Sequence, residues 1–410
     1  MWIVFGSFAL LLLIGAPIGV ALGLSSAIGT YAIMKIPLIV VAQRMFTAVD
    51  SFSFMAVPFF MLAGSFMSSG GVTKRLVNFA NALVGFITGG LALVVAVSGM
   101  FFAAISGSSA ATTAAIGATM IDEMLKKGYK KDFTAAVIAA GGTVGIVIPP
   151  SITMVVYGVT AGVSIGDLFL GGFAPGIIMG VSMCILSYFI CKKLGFKGEG
   201  KFSIINVLRS FKDSILALMM PVIILGGIYS GIFTPTEAAA VAAVYGMFIG
   251  MFVYRELKVK DLPSVILKAA KSTTIIMFIV GAANLFGWIL TYVQVPHRVG
   301  MFFVSISNNP IVFLMLVNLL LLFVGTLINA SAAVVILTPI LLPVAISFGI
   351  NPLFFGVLMV VNLAIGCITP PVGLDLFVVS AITKLPIETI TKRIIPYIAV
   401  LILDLSLIHI

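Results

Sequence analysis

Uninterrupted apolar stretches of about 20 residues recur along the whole of this 410-residue chain. At roughly 1.5 Å per residue, each is long enough to cross the ~30 Å hydrocarbon core of a bilayer. A water-soluble fold fails on charge. Only 9% of the residues are charged and 61% are hydrophobic, against roughly 25% charged in soluble domains. The sequence therefore predicts an all-α membrane protein, with spans near 2–32, 54–71, 133–160, 168–191, 214–233, 235–253, 273–293, 353–380 and 394–410. The start, Met1-Trp2-Ile3-Val4, carries no basic segment or small-residue cleavage site, so the first stretch reads as a retained helix.

Two regions, about 85–123 and 310–347, are apolar but interrupted halfway by small polar residues. Ser106-Gly107-Ser108-Ser109 breaks the first; Thr326 with Asn329-Ala330-Ser331 breaks the second. Two half-length helices meeting at each break would form a re-entrant hairpin that enters and leaves on one side. With a cytoplasmic N-terminus and both hairpins in place, the inside segments are 72–76, 123–132, 192–213, 254–272 and 381–393. These hold 20 of the 23 lysines and arginines, as the positive-inside rule requires. That placement also accounts for the net charge of +10 without nucleic acid. The cysteines, Cys184, Cys191 and Cys367, have neither metal nor redox spacing and read as small core residues.

One constant offset places Ser108 on Asn329, Gly128 on Gly349, Gly145 on Gly366 and Pro149-Pro150 on Pro370-Pro371. A slightly different offset places Ala16-Pro17 on Thr234-Pro235. The loop after the first hairpin is basic and its counterpart, Phe348 to Pro352, is not, so the halves are expected to be inverted repeats: residues 1–210, with the hairpin near 85–123 and a broken helix near 133–160, and residues 211–410, with the hairpin near 310–347 and a broken helix near 353–380. Inverted repeats with helices broken at matching positions point to a transporter site at the membrane midplane.

The proline pairs explain why such breaks bind ions. Proline lacks a backbone N–H and clashes with the preceding turn, so each helix must stop. The carbonyls freed there cannot stay unpaired in hydrocarbon. A hard monovalent cation such as sodium suits them. The candidate ligands are Ser106, Ser108, Ser109, Gly142, Thr143, Gly145 and Val147 in the first half. In the second they are Gly325, Thr326, Asn329, Ser331, Gly366 and Thr369. Against this, Ser and Thr hydroxyls in membrane helices often only bond the preceding turn or a neighbouring helix. Half-helix N-termini at the same level would attract an anion, for which the candidate contacts are Arg44, Asp50, Ser51, Ser109, Thr143 and Thr369. Arg44 either pairs with Asp50 on an interfacial helix or holds a substrate carboxylate. Glu237, in Thr234-Pro235-Thr236-Glu237, reads as part of a helix cap, and Asp375 is either a cytoplasm-facing gate or solvated. His297 and His409 have no catalytic partner nearby. No phosphate-binding loop occurs either, so neither an enzyme nor an ATP-driven pump is indicated.

These residues closely resemble the large membrane subunit of TRAP transporters (tripartite ATP-independent periplasmic transporters). The resemblance lies in Asp50-Ser51-Phe52, Val57 to Gly64, Ala104 to Ser109, Ile148 to Ile152, Gly231 to Ala238, Ile336 to Ile340 and Thr369 to Gly373, and spans nearly the whole chain. It implies sodium-driven uptake of small organic anions, such as C4-dicarboxylates or sialic acid, across the bacterial inner membrane by an elevator motion. It also implies two partners, a small four-helix membrane subunit and a periplasmic substrate-binding protein, and no organic cofactor. The small subunit is expected as a separate polypeptide. Asn329 stands near a position where many members of the family carry aspartate, and the last helix is expected to be truncated. The competing expectation is a stand-alone ion-coupled carboxylate carrier that needs no binding protein.

Overall fold

Two short helices, not one span, occupy the first apolar stretch. In the computed structural model, which describes residues 2–198 and 200–407, α1 (Trp2–Leu13) ends before Gly15, whose φ is +83°. The chain restarts after Pro17 as α2 (Ile18–Gly29), which runs on into a π-helical turn at Thr30–Met34. Glycine enters the left-handed region at no steric cost and proline cannot continue a ladder, so the expected span over 2–32 is corrected to a helix pair. α1 is about 18 Å long and α2 with its π-helical turn about 25 Å, both short of a full crossing.

The chain continues through α3 (Ile39–Val49), α4 (Ala56–Ser69) and α5 (Val72–Val84). α5 occupies what the sequence suggested was a basic loop. It is amphipathic, burying Val72, Leu76, Val77 and Ala80 at helical spacing. Lys74 and Arg75 within its first turns are what masked the pattern. Next come α6 (Gly90–Ser106), α7 (Ser109–Lys126), α8 (Lys131–Thr143), α9 (Ile152–Ala161), α10 (Ile165–Leu194) and α11 (Ile204–Tyr229). The remainder comprises α12 (Pro235–Phe248), α13 (Leu262–Tyr292), α14 (Val295–Ile306), α15 (Pro310–Leu327), α16 (Ala330–Ser347), α17 (Pro352–Gly366), α18 (Leu374–Thr383) and α19 (Ile387–Leu407). The described residues form no strand. His409 lies outside the described residues.

Among the described residues, seven runs are long and apolar enough to cross a membrane: Phe52–Ser69, Ile165–Leu194, Ile204–Tyr229, Pro235–Val253, Val259–Tyr292, Pro310–Leu327 and Ala330–Ser347. α11 and α13 each start about ten residues before the expected spans. Hydropathy stops at charges such as Arg209, Lys212, Lys268 and Lys271, whereas the helices continue past them. Large apolar side chains stay exposed on the outer helices, among them Ile185, Phe189, Leu208, Leu319 and Phe323, as a lipid-facing surface requires.

Inside, α6 packs on α8 and α15 on α17. Gly325 and Gly366 meet backbone to backbone: a Cβ on Gly366 would sit 2.6 Å from Gly325 Cα. α9 lies on α16, α18 lies on α7, and α13 runs along α2, α3, α4 and α16. α12 begins with the expected cap, in which Thr234 Oγ1 accepts from Glu237 N and the Glu237 carboxylate accepts from Thr234 N. Outside the apolar interior, Arg75 pairs with Glu256 at 2.6 Å and Arg393 with Asp132 at 2.8 Å. Cys191 and Cys367 are buried and Cys184 half-buried, all three as free thiols.

Candidate functional site

α6 and α7 meet at Gly107 and Ser108. Gly107 takes φ +61° at the end of α6 and Ser108 is extended, a reversal that a side chain on Gly107 would obstruct because its Cβ would lie 2.9 Å from Pro150 O. Ser108 Oγ caps α7 by accepting from Ala111 N at 3.4 Å. Ser106 Oγ and Thr112 Oγ1 are 2.8 Å apart, and Thr112 Oγ1 donates to Ser108 O at 2.8 Å. The tip is thus a knot of hydroxyls and one carbonyl. It is pinned to the chain beyond the proline pair by Ile152 N donating to Gly107 O at 3.2 Å.

The opposing wall is the non-α stretch between Thr143 and Ile152, which contains Pro149-Pro150, joined by a cis bond. Gly145 presses against the tip, since a Cβ there would be 2.6 Å from both Ser108 O and Thr112 Oγ1. Ser151 Oγ donates to Ile146 O at 2.6 Å and caps α9 by accepting from Met154 N at 3.2 Å. Thr143 Oγ1 donates back to Ala140 O.

A comparable arrangement lies in the second half. α15 stops at Leu327, Ile328 is extended, and Asn329 Oδ1 caps α16 by accepting from Ser331 N at 2.9 Å. Gly373 N donates to Thr326 O at 3.0 Å, tying this tip to the chain beyond Pro370-Pro371, also a cis pair. Thr326 and Thr369 bond back to Phe323 O and Ile365 O at 2.8 and 2.7 Å. Each hydroxyl that donates in this way keeps its lone pairs available to a cation.

Ser108, Asn329 and Ser331 line one cavity of about 270 Å³, which is also lined by Met61, Ser272 and the Ile275-to-Val280 face of α13. A second, of about 480 Å³, holds Arg44, Thr47, Ser51, Thr160, Asn284 and Trp288. Val280 and Val335 line both, so the two adjoin. The Arg44 guanidinium lies 4.4 Å over the Trp288 ring, and among the described residues no ion pair joins it to Asp50. Stacking on an aromatic face leaves the planar fork of an arginine free for a carboxylate. A third cavity, of about 660 Å³, shares Thr291 with the second, so open space follows α13 over much of its length.

The residues expected to contact substrate therefore divide. Arg44 and Ser51 line this space. Asp50 is exposed at the end of α3, while Ser109, Thr143 and Thr369 lie behind the tips, outside both cavities. Gly142, Gly145 and Val147 form the buried wall behind the first tip, and Gly325 and Gly366 are a helix-packing contact. Sequence reasoning missed Thr112 and Thr153; Thr112 was signalled only by lying one turn beyond Ser108 on α7. Thr153 Oγ1 is 3.2 Å from Ser331 Oγ, a direct link between the two halves. Asp375, left open between a cytoplasm-facing gate and a solvated residue, is fully buried, which removes the solvated alternative.

Comparison with known proteins places this geometry. The family described as Tripartite ATP-independent periplasmic transporter, DctM component, matches residues 5–410. An isethionate TRAP transporter permease protein of Oleidesulfovibrio alaskensis is 46% identical over 400 residues, covering 97% of this chain and 63% of that protein, so this chain spans under two thirds of that relative. A C4-dicarboxylate TRAP transporter large permease of Pseudomonas aeruginosa is 42% identical over 388 residues, 95% of this chain and 91% of that one. A sialic acid TRAP transporter large permease of Vibrio cholerae is 42% identical over 367 residues, 90% and 86% of the two chains. Among solved structures, the Alcanivorax borkumensis YdaH transporter, described as having an unusual topology, superposes with a TM-score of 0.63 at 14% identity. It covers 86% of this chain and 83% of that one, and at this identity it shows a shared fold alone.

Proposed function

The chain belongs to the DctM component family of tripartite ATP-independent periplasmic transporters, and from that membership we propose that it carries a small organic anion into the bacterial cell across the inner membrane, driven by sodium. It is a transporter permease, not an enzyme. The observation that carries the reading is the cavity between Ser108 on one tip and Asn329 and Ser331 on the other. It adjoins the space into which Arg44 projects.

Sodium belongs behind each tip. The first site takes Ser106, Ser108 and Ser109 with Gly142, Thr143, Gly145 and Val147. The second takes Gly325, Thr326, Asn329 and Ser331 with Gly366 and Thr369. These are hydroxyl, amide and carbonyl oxygens, the donors a hard monovalent cation prefers, and a bound sodium would supply positive charge next to the substrate's carboxylate or sulfonate. The N-termini of α7 and α16 add to that field. Arg44 and Ser51 offer the remaining polar contacts.

The paired tips, each tied to the chain beyond a proline pair, support two inverted repeats covering 1–210 and 211–410. They also support an elevator motion in which tips and broken helices move as one body past α13. The names of the relatives cover isethionate, C4-dicarboxylates, sialic acid and 2,3-diketo-L-gulonate, all small anions. By the same membership the partners are a small membrane subunit and a periplasmic binding protein.

The test is uptake of labelled succinate, isethionate and sialic acid into proteoliposomes holding the chain and its small subunit. Each assay runs with and without an inward sodium gradient and with and without the binding protein. Uptake that needs both establishes the reading. Sodium-driven uptake without the binding protein points instead to a stand-alone carrier.

A further inference from the structure

Asp375 is the second residue of α18, just beyond Pro370-Pro371. Its backbone N–H donates to Cys367 O at 2.9 Å, but its carboxylate is fully buried and neither oxygen has a hydrogen-bond partner. Thr113 Oγ1, also buried, is likewise unpartnered. The two belong together: the hydroxyls of Ser109 and Thr113, one turn apart on α7, are the side-chain donors beside the carboxylate. None reaches it with hydrogen-bonding geometry. Thr113 Oγ1 is further confined by α8, since a Cβ on Gly142 would overlap it.

An ionised carboxylate buried without a counter-charge costs several kcal/mol. The elements packed on α18 are α7, α8 and α19. Their basic groups lie elsewhere: Lys126 and Lys131 end α7 and start α8 on the surface, Lys392 is exposed, and Arg393 is engaged by Asp132. Protonation alone would remove the charge, yet in this arrangement the carboxyl oxygens and Thr113 Oγ1 still lack a partner with hydrogen-bonding geometry. A small cation resolves both problems at once, because two carboxylate oxygens and two hydroxyls converge as hard donors.

The opposite crossing of the fold sharpens the point. Thr153 of α9 meets Ser331 of α16, and there two neutral hydroxyls satisfy each other at 3.2 Å. At the corresponding crossing of α18 on α7 the chain places a carboxylate instead. We propose that Asp375, with Thr113 and with Ser109 shared with the first tip site, binds a sodium ion additional to those behind the two tips. The choice of sodium rests on the sodium-coupled reading above; the need for a cation rests on the buried carboxylate.

The test is saturation binding of ²²Na⁺ to the full chain in nanodiscs, without substrate. Relative to wild type, Asp375→Asn is expected to lose about one bound sodium per chain. Thr113→Val is expected to weaken one class of sites about tenfold. Ser108→Ala with Asn329→Ala is the control that reports on the tip sites. Unchanged stoichiometry and affinity in Asp375→Asn, with loss in the control, overturns this inference and leaves the tip sites standing. No sodium binding by wild type overturns both. Should Asp375→Asn not purify as a folded species, Thr113→Val decides alone, and wild-type affinity in that variant overturns the proposal.

Discussion

Thr153 Oγ1 and Ser331 Oγ lie 3.2 Å apart, so one hydrogen bond joins the first turn of α9 to the first turn of α16. Interhelical bonds of this kind contribute on average about 0.6 kcal/mol in a membrane. Thr153→Val and Ser331→Ala are each expected to destabilise by about 0.5–1 kcal/mol. In a double-mutant cycle read by unfolding in detergent, the double variant should cost less than the sum. Full additivity would mean that the hydroxyls do not interact.

Ser108 and Asn329 each cap a helix and face the same cavity. Ser108→Ala and Asn329→Ala should raise the sodium concentration for half-maximal uptake by about tenfold, the equivalent of roughly 1.4 kcal/mol. Membrane expression should hold within about twofold, because a lost cap costs only ~1 kcal/mol. The comparison is uptake against sodium, normalised to the amount of protein. A fall in uptake with an unchanged sodium dependence would remove these two residues from the ion sites.

Replacing Pro149-Pro150 with Ala-Ala restores the backbone donors and lets a helix run through 144–151. Transport should vanish while the protein still purifies as a monodisperse species. Uptake with wild-type sodium dependence in this variant would show that the break is not part of the site.

Asp132 and Arg393 supply a pH dependence at the surface. Partial burial pushes the Asp132 carboxyl up, but bonds from Arg393 and from Phe133 N–H outweigh it and hold the group below its ordinary 3.8. A depressed folded-state value means the pair stabilises fully above the unfolded value, near pH 4, and loses its contribution as pH falls through the folded one. The pair is part-exposed, so the effect is about 0–1 kcal/mol. Asp132→Asn should lower the melting temperature slightly at pH 7, and the difference from wild type should fade as the pH falls below about 4 and through the depressed folded-state value.

Gly366→Ala drives a methyl to 2.6 Å from Gly325 Cα. Backbone cannot retreat as a flexible side chain would, so the expected cost is about 1–3 kcal/mol. Thermal unfolding measures it; a melting point equal to that of wild type would mean that α15 and α17 separate more easily than the contact implies.

The positions where helices stop were legible because they violate their surroundings. Ser106 to Ser109 and Asn329 to Ser331 are polar in apolar runs, and a proline pair inside an apolar segment has few other readings. Pro17 carried the same signal, yet the apolar residues around it suggested one continuous span. α5 was hidden because Lys74 and Arg75 look like loop charge until Val72, Leu76 and Ala80 are seen on one face. Thr112, Thr113 and Thr153 could not be singled out. A threonine that joins a tip and one that bonds its own preceding turn are identical in sequence, and only packing separates them. Asp375 showed the opposite difficulty: a lone carboxylate next to a break reads equally as a gate or as solvated, and its burial depends on α7, far away in the chain.

That distance matters during synthesis. α7 packs on α6 and α8 but gives a further face to α18, and α9 gives one to α16, so each half leaves a face that only the other covers. About 250 residues separate the end of α7 from the start of α18. At roughly 5–20 residues per second, ribosomal elongation leaves α7 waiting on the order of tens of seconds for its cover. Throughout that interval the membrane insertion machinery or surrounding lipid must shelter the hydroxylated face of α7 that α18 later covers.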